Sequence, residues 1–119
     1  MDELSSVPQL TIDCQAVPDG WLVMIGGELD LATAPLLAHQ LRELDLSGSS
    51  RLVLDMRELS FTDCAGLAEV VAADEWARGH GATLEVLCCP GQVRRIFTLA
   101  GIDRRLTIST NGPHQTAAA

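Results

Sequence analysis

Hydrophobic and polar positions change their spacing several times along this chain, and each change marks a new element. Positions 10–17 alternate weakly between apolar and polar, which predicts an edge strand. Pro18-Asp19-Gly20 is a turn signal, and residues 21–25 form a near-continuous apolar run that Gly26-Gly27 ends. The two runs predict a hairpin. The period then changes: Leu37, Leu41 and Leu44 stand at i, i+4 and i+7, with Ala34 and Leu36 beside them, which predicts one apolar helix face. Asp30 or Thr33 can cap this helix, and Pro35 suits its first turn.

Ser47-Gly48-Ser49-Ser50 breaks the helix, and residues 51–56 read as a strand with Leu52, Val53 and Leu54 apolar. Asp63 can cap a second helix over about 65–78, with Leu67, Val70, Val71 and Ala77 as its inner stripe and Gly79-His80-Gly81 as its end. Residues 83–88 predict a strand, 93–99 a short amphipathic helix stopped by Gly101, and 106–108 a last short strand. Strands separated by helices imply parallel pairing through right-handed crossovers, while the opening hairpin adds an antiparallel pair. The expected fold class is therefore α/β, a mixed sheet of four to five strands with helices mainly on one face. One domain is expected over 10–109, with a flexible tail at 1–9 and a disordered one at 110–119.

Composition narrows the function. Hydrophobic residues make up 47% and charged residues 20% of the 119, enough to fold, but aromatics are only 3% and Tyr is missing, so the core must be aliphatic. The net charge of -8 argues against binding nucleic acid, which needs a basic face, and against anionic membrane surfaces. The start of the chain is acidic and polar where a secretory signal would be basic and then apolar. No run approaches the roughly 20 apolar residues of a membrane span. A cytoplasmic location with reduced thiols is expected.

Candidate catalytic chemistry is thin. Gly26-Gly27 lacks the spacing of a dinucleotide-binding loop, no C-x-x-C occurs, and adjacent Cys88-Cys89 is poorly placed for a disulfide. Cys14, Cys64 and His39 are scattered without metal-ligand spacing, so no enzyme, metal or cofactor is expected. Two acids stand out by position. Asp30 and Asp63 each follow a strand and precede a helix, and if those strands are neighbours both lie at the edge where α/β folds place their sites. Each is a helix cap, part of a binding site, or both.

The stretches Gly27-Glu28-Leu29-Asp30-Leu31-Ala32-Thr33-Ala34, Leu52-Val53-Leu54-Asp55, Phe61-Thr62-Asp63-Cys64-Ala65-Gly66-Leu67 and Arg94-Arg95-Ile96-Phe97-Thr98-Leu99-Ala100-Gly101-Ile102 resemble, in order and spacing, the STAS domain. More narrowly, they resemble bacterial anti-sigma factor antagonists. The resemblance implies partner switching: the antagonist binds an anti-sigma factor, a GHKL-type Ser kinase, and a sigma factor is released for transcription. It implies partner-binding residues at Asp30, Thr33, Thr62, Asp63, Cys64, Ala65, Gly66, Leu67 and Glu69. It also implies a phosphorylated Ser at the start of the second helix. A helix N-terminus tolerates phosphate, while the roughly -1.5 to -2 added charges oppose docking. Here the two Ser positions hold Cys64 and Ala65, and Ala65 occupies the phospho-acceptor position. The implied docking surface is present and its usual switch is missing. Thr62 is nearby, at a position expected to be partly buried.

Three further expectations follow. Cys64 near a helix N-terminus is a candidate redox switch, or an inert small residue. Trp76, Glu69 and Ala65 share a helix face opposite the apolar stripe, which a partner could use unless Trp76 packs against a neighbouring helix. The alternative to the sigma pathway is a STAS subunit of a lipid ABC transporter complex, docking to its ATPase. The sequence carries no expectation of oligomeric state.

Overall fold

The computed structural model describes residues 9–110. The weakly alternating run becomes β1 (Leu10–Val17) and pairs antiparallel with β2 (Gly20–Leu29) around Pro18-Asp19. α1 (Ala34–Arg42) crosses to β3 (Arg51–Thr62), α2 (Cys64–Gly79) to β4 (Thr83–Leu87), and α3 (Gln92–Leu99) with a 3-10 turn (Ile102–Arg104) to β5 (Thr107–Ser109). The sheet order is β1-β2-β3-β4-β5, with β2 to β5 parallel. Successive right-handed crossovers in one direction put every helix on the same face. This is the mixed α/β sheet expected from the pattern.

The core lies between that face and the helices. Val23, Ile25 and Leu29 of β2, Leu52, Leu54 and Met56 of β3, and Leu84 and Val86 of β4 meet Leu37 and Leu41 of α1, Leu67, Val70, Ala73 and Ala77 of α2, and Val93 and Phe97 of α3 in one cluster. Alternate strand positions point away from the helices. On that side Leu22 and Met24 are only half-buried, so the apolar run of β2 is not covered equally on both faces. Ion pairs occupy this side: Arg51 donates to Glu85 at 3.0 Å and to Asp19 at 3.2 Å, and Arg57 donates to Asp55 at 2.8 and 2.9 Å. The hydrogen bond to Glu85 raises the Arg51 pKa, and that to Asp55 raises the Arg57 pKa.

Several boundaries differ from the expectation. Gly26-Gly27 does not end β2, which continues to Leu29 with register shifts against β3 between Met24 and Gly26 and between Gly27 and Glu28. Gly27 has φ +94°, and a Cβ there would collide with the Gln9 carbonyl, so the glycine admits a close approach instead of stopping the strand. The same irregularity hides the second half of β3. That strand runs to Thr62, with Leu59 and Thr62 buried, although Arg57 and Glu58 interrupt its apolar pattern. Leu44 lies beyond the end of α1 and is half-buried. Leu36, expected on the inner stripe, is 55% exposed, because one residue step turns it about 100° from Leu37. Except for Gln9 and Thr110, the expected tails lie outside the described residues. No helix is long and apolar enough to cross a membrane among the described residues.

Among the described residues, Phe97 is the only aromatic side chain buried completely, and it joins α3 to the rest of the core. Phe97→Ala is expected to cost about 3–5 kcal/mol. Urea unfolding should show a lower midpoint at an unchanged slope. A loss below about 1 kcal/mol would mean that α3 is not held by this ring.

Candidate docking site at the carboxyl ends of β2 and β3

Parallel register brings the two acid-bearing loops together. Leu29 pairs with Thr62, so the residues that follow, Asp30 and Asp63, leave adjacent strands at the same edge. The Asp30 carboxylate accepts hydrogen bonds from the Ala32 and Thr33 amides at 3.0 and 3.1 Å, folding the β2–α1 loop onto itself. The buried Thr33 hydroxyl donates to the Glu28 carbonyl at 2.8 Å and accepts from the Asp30 amide at 2.9 Å. Neither side chain caps α1 directly. Thr33 holds the N-cap position without a side-chain hydrogen bond to the helix, because its hydroxyl is turned back into the loop. Pro35 follows in the first turn, where a missing N–H leaves no helical bond unmade.

Asp63 does cap α2, and it does more. One carboxylate oxygen accepts from the Gly66 amide at 3.0 Å, while the other accepts from the Leu31 amide at 3.2 Å across the gap to the neighbouring loop. A single side chain thus closes one helix and tethers the other loop to it. Gly66 makes the junction tight. A Cβ at this position would collide with the Thr62 hydroxyl and lie 2.5 Å from the Leu29 carbonyl oxygen. The first turn of α2 therefore rests directly on the end of β2.

What this junction presents outward is apolar. Leu31 is 76% and Phe61 37% exposed, and with Leu36 they are three of the four large hydrophobic residues exposed among the described positions. Between the first turns of α1 and α2 lies an open depression of about 320 Å³, lined by Leu31, Ala34, Pro35, Ala65, Ala68 and Glu69. Cys64, the first residue of α2, is exposed, and Ala65 is half-buried beside it. Thr33, Thr62, Gly66 and Leu67 are buried, so they shape the surface and do not form it.

Glu69 is held by Arg42 of α1 at 2.6 Å. The same guanidinium lies over the Trp76 ring, 5.4 Å from its centroid, and Trp76 packs half-buried against the core. Ala65 and Glu69 therefore share the depression, while Trp76 belongs to the contact between α1 and α2. Sequence reading missed Leu31, Leu36 and Arg42 as site residues. Leu31 carried a usable signal, an apolar residue in a loop between two polar turn residues, whereas the Arg42 pairing joins residues 27 apart and has none. The four cysteines are free thiols. Burial raises the Cys14 and Cys88 thiol pKa values. Among the described residues no three or more His, Cys, Asp or Glu side chains converge as a metal site.

Two loops tied at the carboxyl ends of adjacent parallel strands, with Leu31 exposed beside a shallow apolar depression, form the candidate site of this α/β module. A family model described as "Mlab, STAS domain" matches residues 12–109, and the chain belongs to the STAS domain family. Anti-sigma-F factor antagonist RsfB of Mycobacterium tuberculosis is 30% identical over 83 residues, covering 70% of this chain and 67% of that protein. The anti-sigma-B factor antagonist of Staphylococcus aureus is 26% identical over 80 residues, covering 67% of this chain and 74% of its own length. The fold matches the crystal structure of an anti-sigma factor antagonist from Mycobacterium paratuberculosis with a TM-score of 0.82 at 24% identity, over 95% of this chain and 97% of that one.

Gly66→Ala is expected to cost about 1–3 kcal/mol, because beyond the Thr62 hydroxyl the added Cβ meets the Leu29 backbone carbonyl, which cannot rotate away. Thermal unfolding of both proteins measures it. An unchanged midpoint would show that α2 shifts off β2 without cost.

Proposed function

We propose that this chain is an anti-sigma factor antagonist, docking an anti-sigma factor of the GHKL-type Ser kinase class through the junction of Asp30, Thr33, Thr62, Asp63, Cys64, Ala65, Gly66, Leu67 and Glu69, and so freeing a sigma factor. The observation that carries the reading is the exposed Leu31 beside an open depression that it lines with Ala34, Pro35, Ala65 and Ala68 at the tied loops. The similarity to RsfB supports it. In this reading Leu31 is the anchor that loses most water on docking, and the buried threonines and Gly66 hold the loops in place for it.

Ala65 sets the regulation. It has no hydroxyl, so a kinase partner has nothing to phosphorylate at the second residue of α2, and the complex persists where a Ser-bearing relative would be released. A second reading, a STAS subunit docking to the ATPase of a lipid ABC transporter, would use the same exposed junction. Co-purification with a transporter ATPase and not with a sigma-linked kinase would decide for it.

Two experiments test the main reading. Incubation with the cognate kinase and ATP, read by mass spectrometry, is expected to leave residues 61–67 unmodified, while Ala65→Ser becomes an acceptor. Stoichiometric phosphate on any of these residues in the unaltered chain would refute the missing switch. Leu31→Asp should weaken binding of the anti-sigma factor by at least about tenfold in calorimetry, and an unchanged affinity would move the docking surface elsewhere.

A further inference from the structure

The arginines of this acidic chain divide unevenly. Arg94, Arg95, Arg104 and Arg105 face a single acid, Asp103, within residues 92–105, so this stretch carries +3 while the remaining residues carry -11 of the total -8. Six of the eight arginines are engaged inside the molecule. Arg42 pairs with Glu69, Arg51 with Glu85 and Asp19, Arg57 with Asp55, and Arg78 with Asp74. Arg105 pairs with Glu75 at 2.7 Å, and Arg94 donates to the Cys88 carbonyl at 3.1 Å.

Arg95 and Arg104 are exposed, and among the described residues their guanidinium groups have no partner. Between them in sequence stands Leu99, 80% exposed, the most exposed large hydrophobic residue described. Arg95 and Leu99, four residues apart on α3, share its outer face. Arg104 follows in the 3-10 turn, which packs against α3. Val93 and Phe97 fix the opposite face of α3 in the core, so this outer face is rigidly presented.

We propose that the outer face of α3 and the turn after it form a second docking surface, one that takes an acidic, amphipathic segment of another protein. Two unpaired guanidinium forks match two carboxylates, and Leu99 matches one apolar side chain between them. Charge selects the occupant. A membrane gains only about 1 kcal/mol from each nearby basic residue, and the -11 carried by the rest of the chain opposes an anionic surface. The same negative charge opposes a phosphate backbone. A short acidic segment reaches the two guanidinium groups without approaching the rest of the molecule. The patch is small, so the contact belongs to the weak, transient class. Its position also matters. α3 runs back from the carboxyl end of β4 toward the amino end of β5, which places Leu99 and Arg104 at the end of the sheet away from Asp30 and Asp63. An occupant there leaves the first docking surface open.

The probe is a fluorescein-labelled amphipathic helix built of Glu and Leu. The full chain should bind it saturably, with amide shifts in the nuclear magnetic resonance spectrum centred on residues 92–104. Raising salt from about 50 to 300 mM should weaken binding several-fold. The double variant Arg95→Glu/Arg104→Glu should lose at least about tenfold, and the neutral double variant Arg95→Gln/Arg104→Gln should also weaken binding, which separates lost attraction from added repulsion. Both positions are exposed, so circular dichroism should be unchanged. No saturable binding, amide shifts centred on residues 30–33 and 63–67, indifference to both double variants, or stronger retention on phosphatidylglycerol vesicles than on the peptide would each overturn the proposal.

Discussion

The close approach of α2 to the end of β2 is the constraint from which the site follows. Gly66 lets the helix rest on the Leu29 carbonyl, and the Asp63 carboxylate bridges the Gly66 amide and the Leu31 amide. Without the first, the two crossover loops would stand apart, and without the second, Leu31 would have no fixed place. Together they hold two helix N-terminal turns side by side, and the depression is the space left between them. A loop built this way is rigid for a local reason. Its backbone donors near Asp30 and Asp63 are satisfied by side chains within the junction, so the exposed Leu31 stands on an ordered base.

Features of this junction governed by local chemistry were legible in the sequence. An acid followed three residues later by Gly, between an apolar run and a helical period, is a cap signature, and Asp63 caps as read. Asp30 was placed at the right edge but with the wrong bond, because a backbone that already uses Thr33 as a bridge to Glu28 leaves the carboxylate to fold its own loop. Features set by tertiary geometry were not legible. The register shifts in β2 let strand pairing run through two glycines that otherwise read as a stop, and with them the second half of β3 was lost. Leu36 left the inner stripe for a related reason, while Trp76 packs against the neighbouring helix, one of the two outcomes open to it. A helical wheel gives angles but not neighbours, and α1 lies where α2 would otherwise show Trp76 to water.

Ala65 bears on the packing of the depression as well as on the proposed loss of phosphorylation. It lines the depression with Ala34, Pro35 and Ala68, so a methyl group stands on the floor of the depression. A hydroxyl on that floor would need a hydrogen-bonding partner once water is displaced, at a cost of about 1–3 kcal/mol if none is supplied. The methyl group has no such need, and its burial is favourable by about 0.8 kcal/mol. On the proposed function, the residue that offers no phospho-acceptor therefore also favours an apolar side chain from the partner at this point. Glu69, at the edge of the depression and already held by Arg42, offers a cation beside that side chain only what Arg42 yields.

The remaining question is how a mostly parallel sheet stands with helices on only one face, since parallel sheets are ordinarily covered on both. The uncovered face answers with charge. In the register, Val53 lies between Leu22 on β2 and Glu85 on β4, and Leu87 lies beside Asp55. Glu85 and Asp55 are each locked by an arginine, Arg51 and Arg57, so the two apolar residues are flanked by paired side chains whose stems are themselves apolar. Each pair is partly buried and contributes on the order of 1 kcal/mol by itself. Their larger effect is to engage cations that a chain of net charge -8 has in short supply. With Arg42, Arg78, Arg94 and Arg105 also engaged, guanidinium groups without a partner are left only on Arg95 and Arg104 among the described arginines. Securing the sheet face and the helix contacts thus concentrates the free cationic character of the molecule beside Leu99.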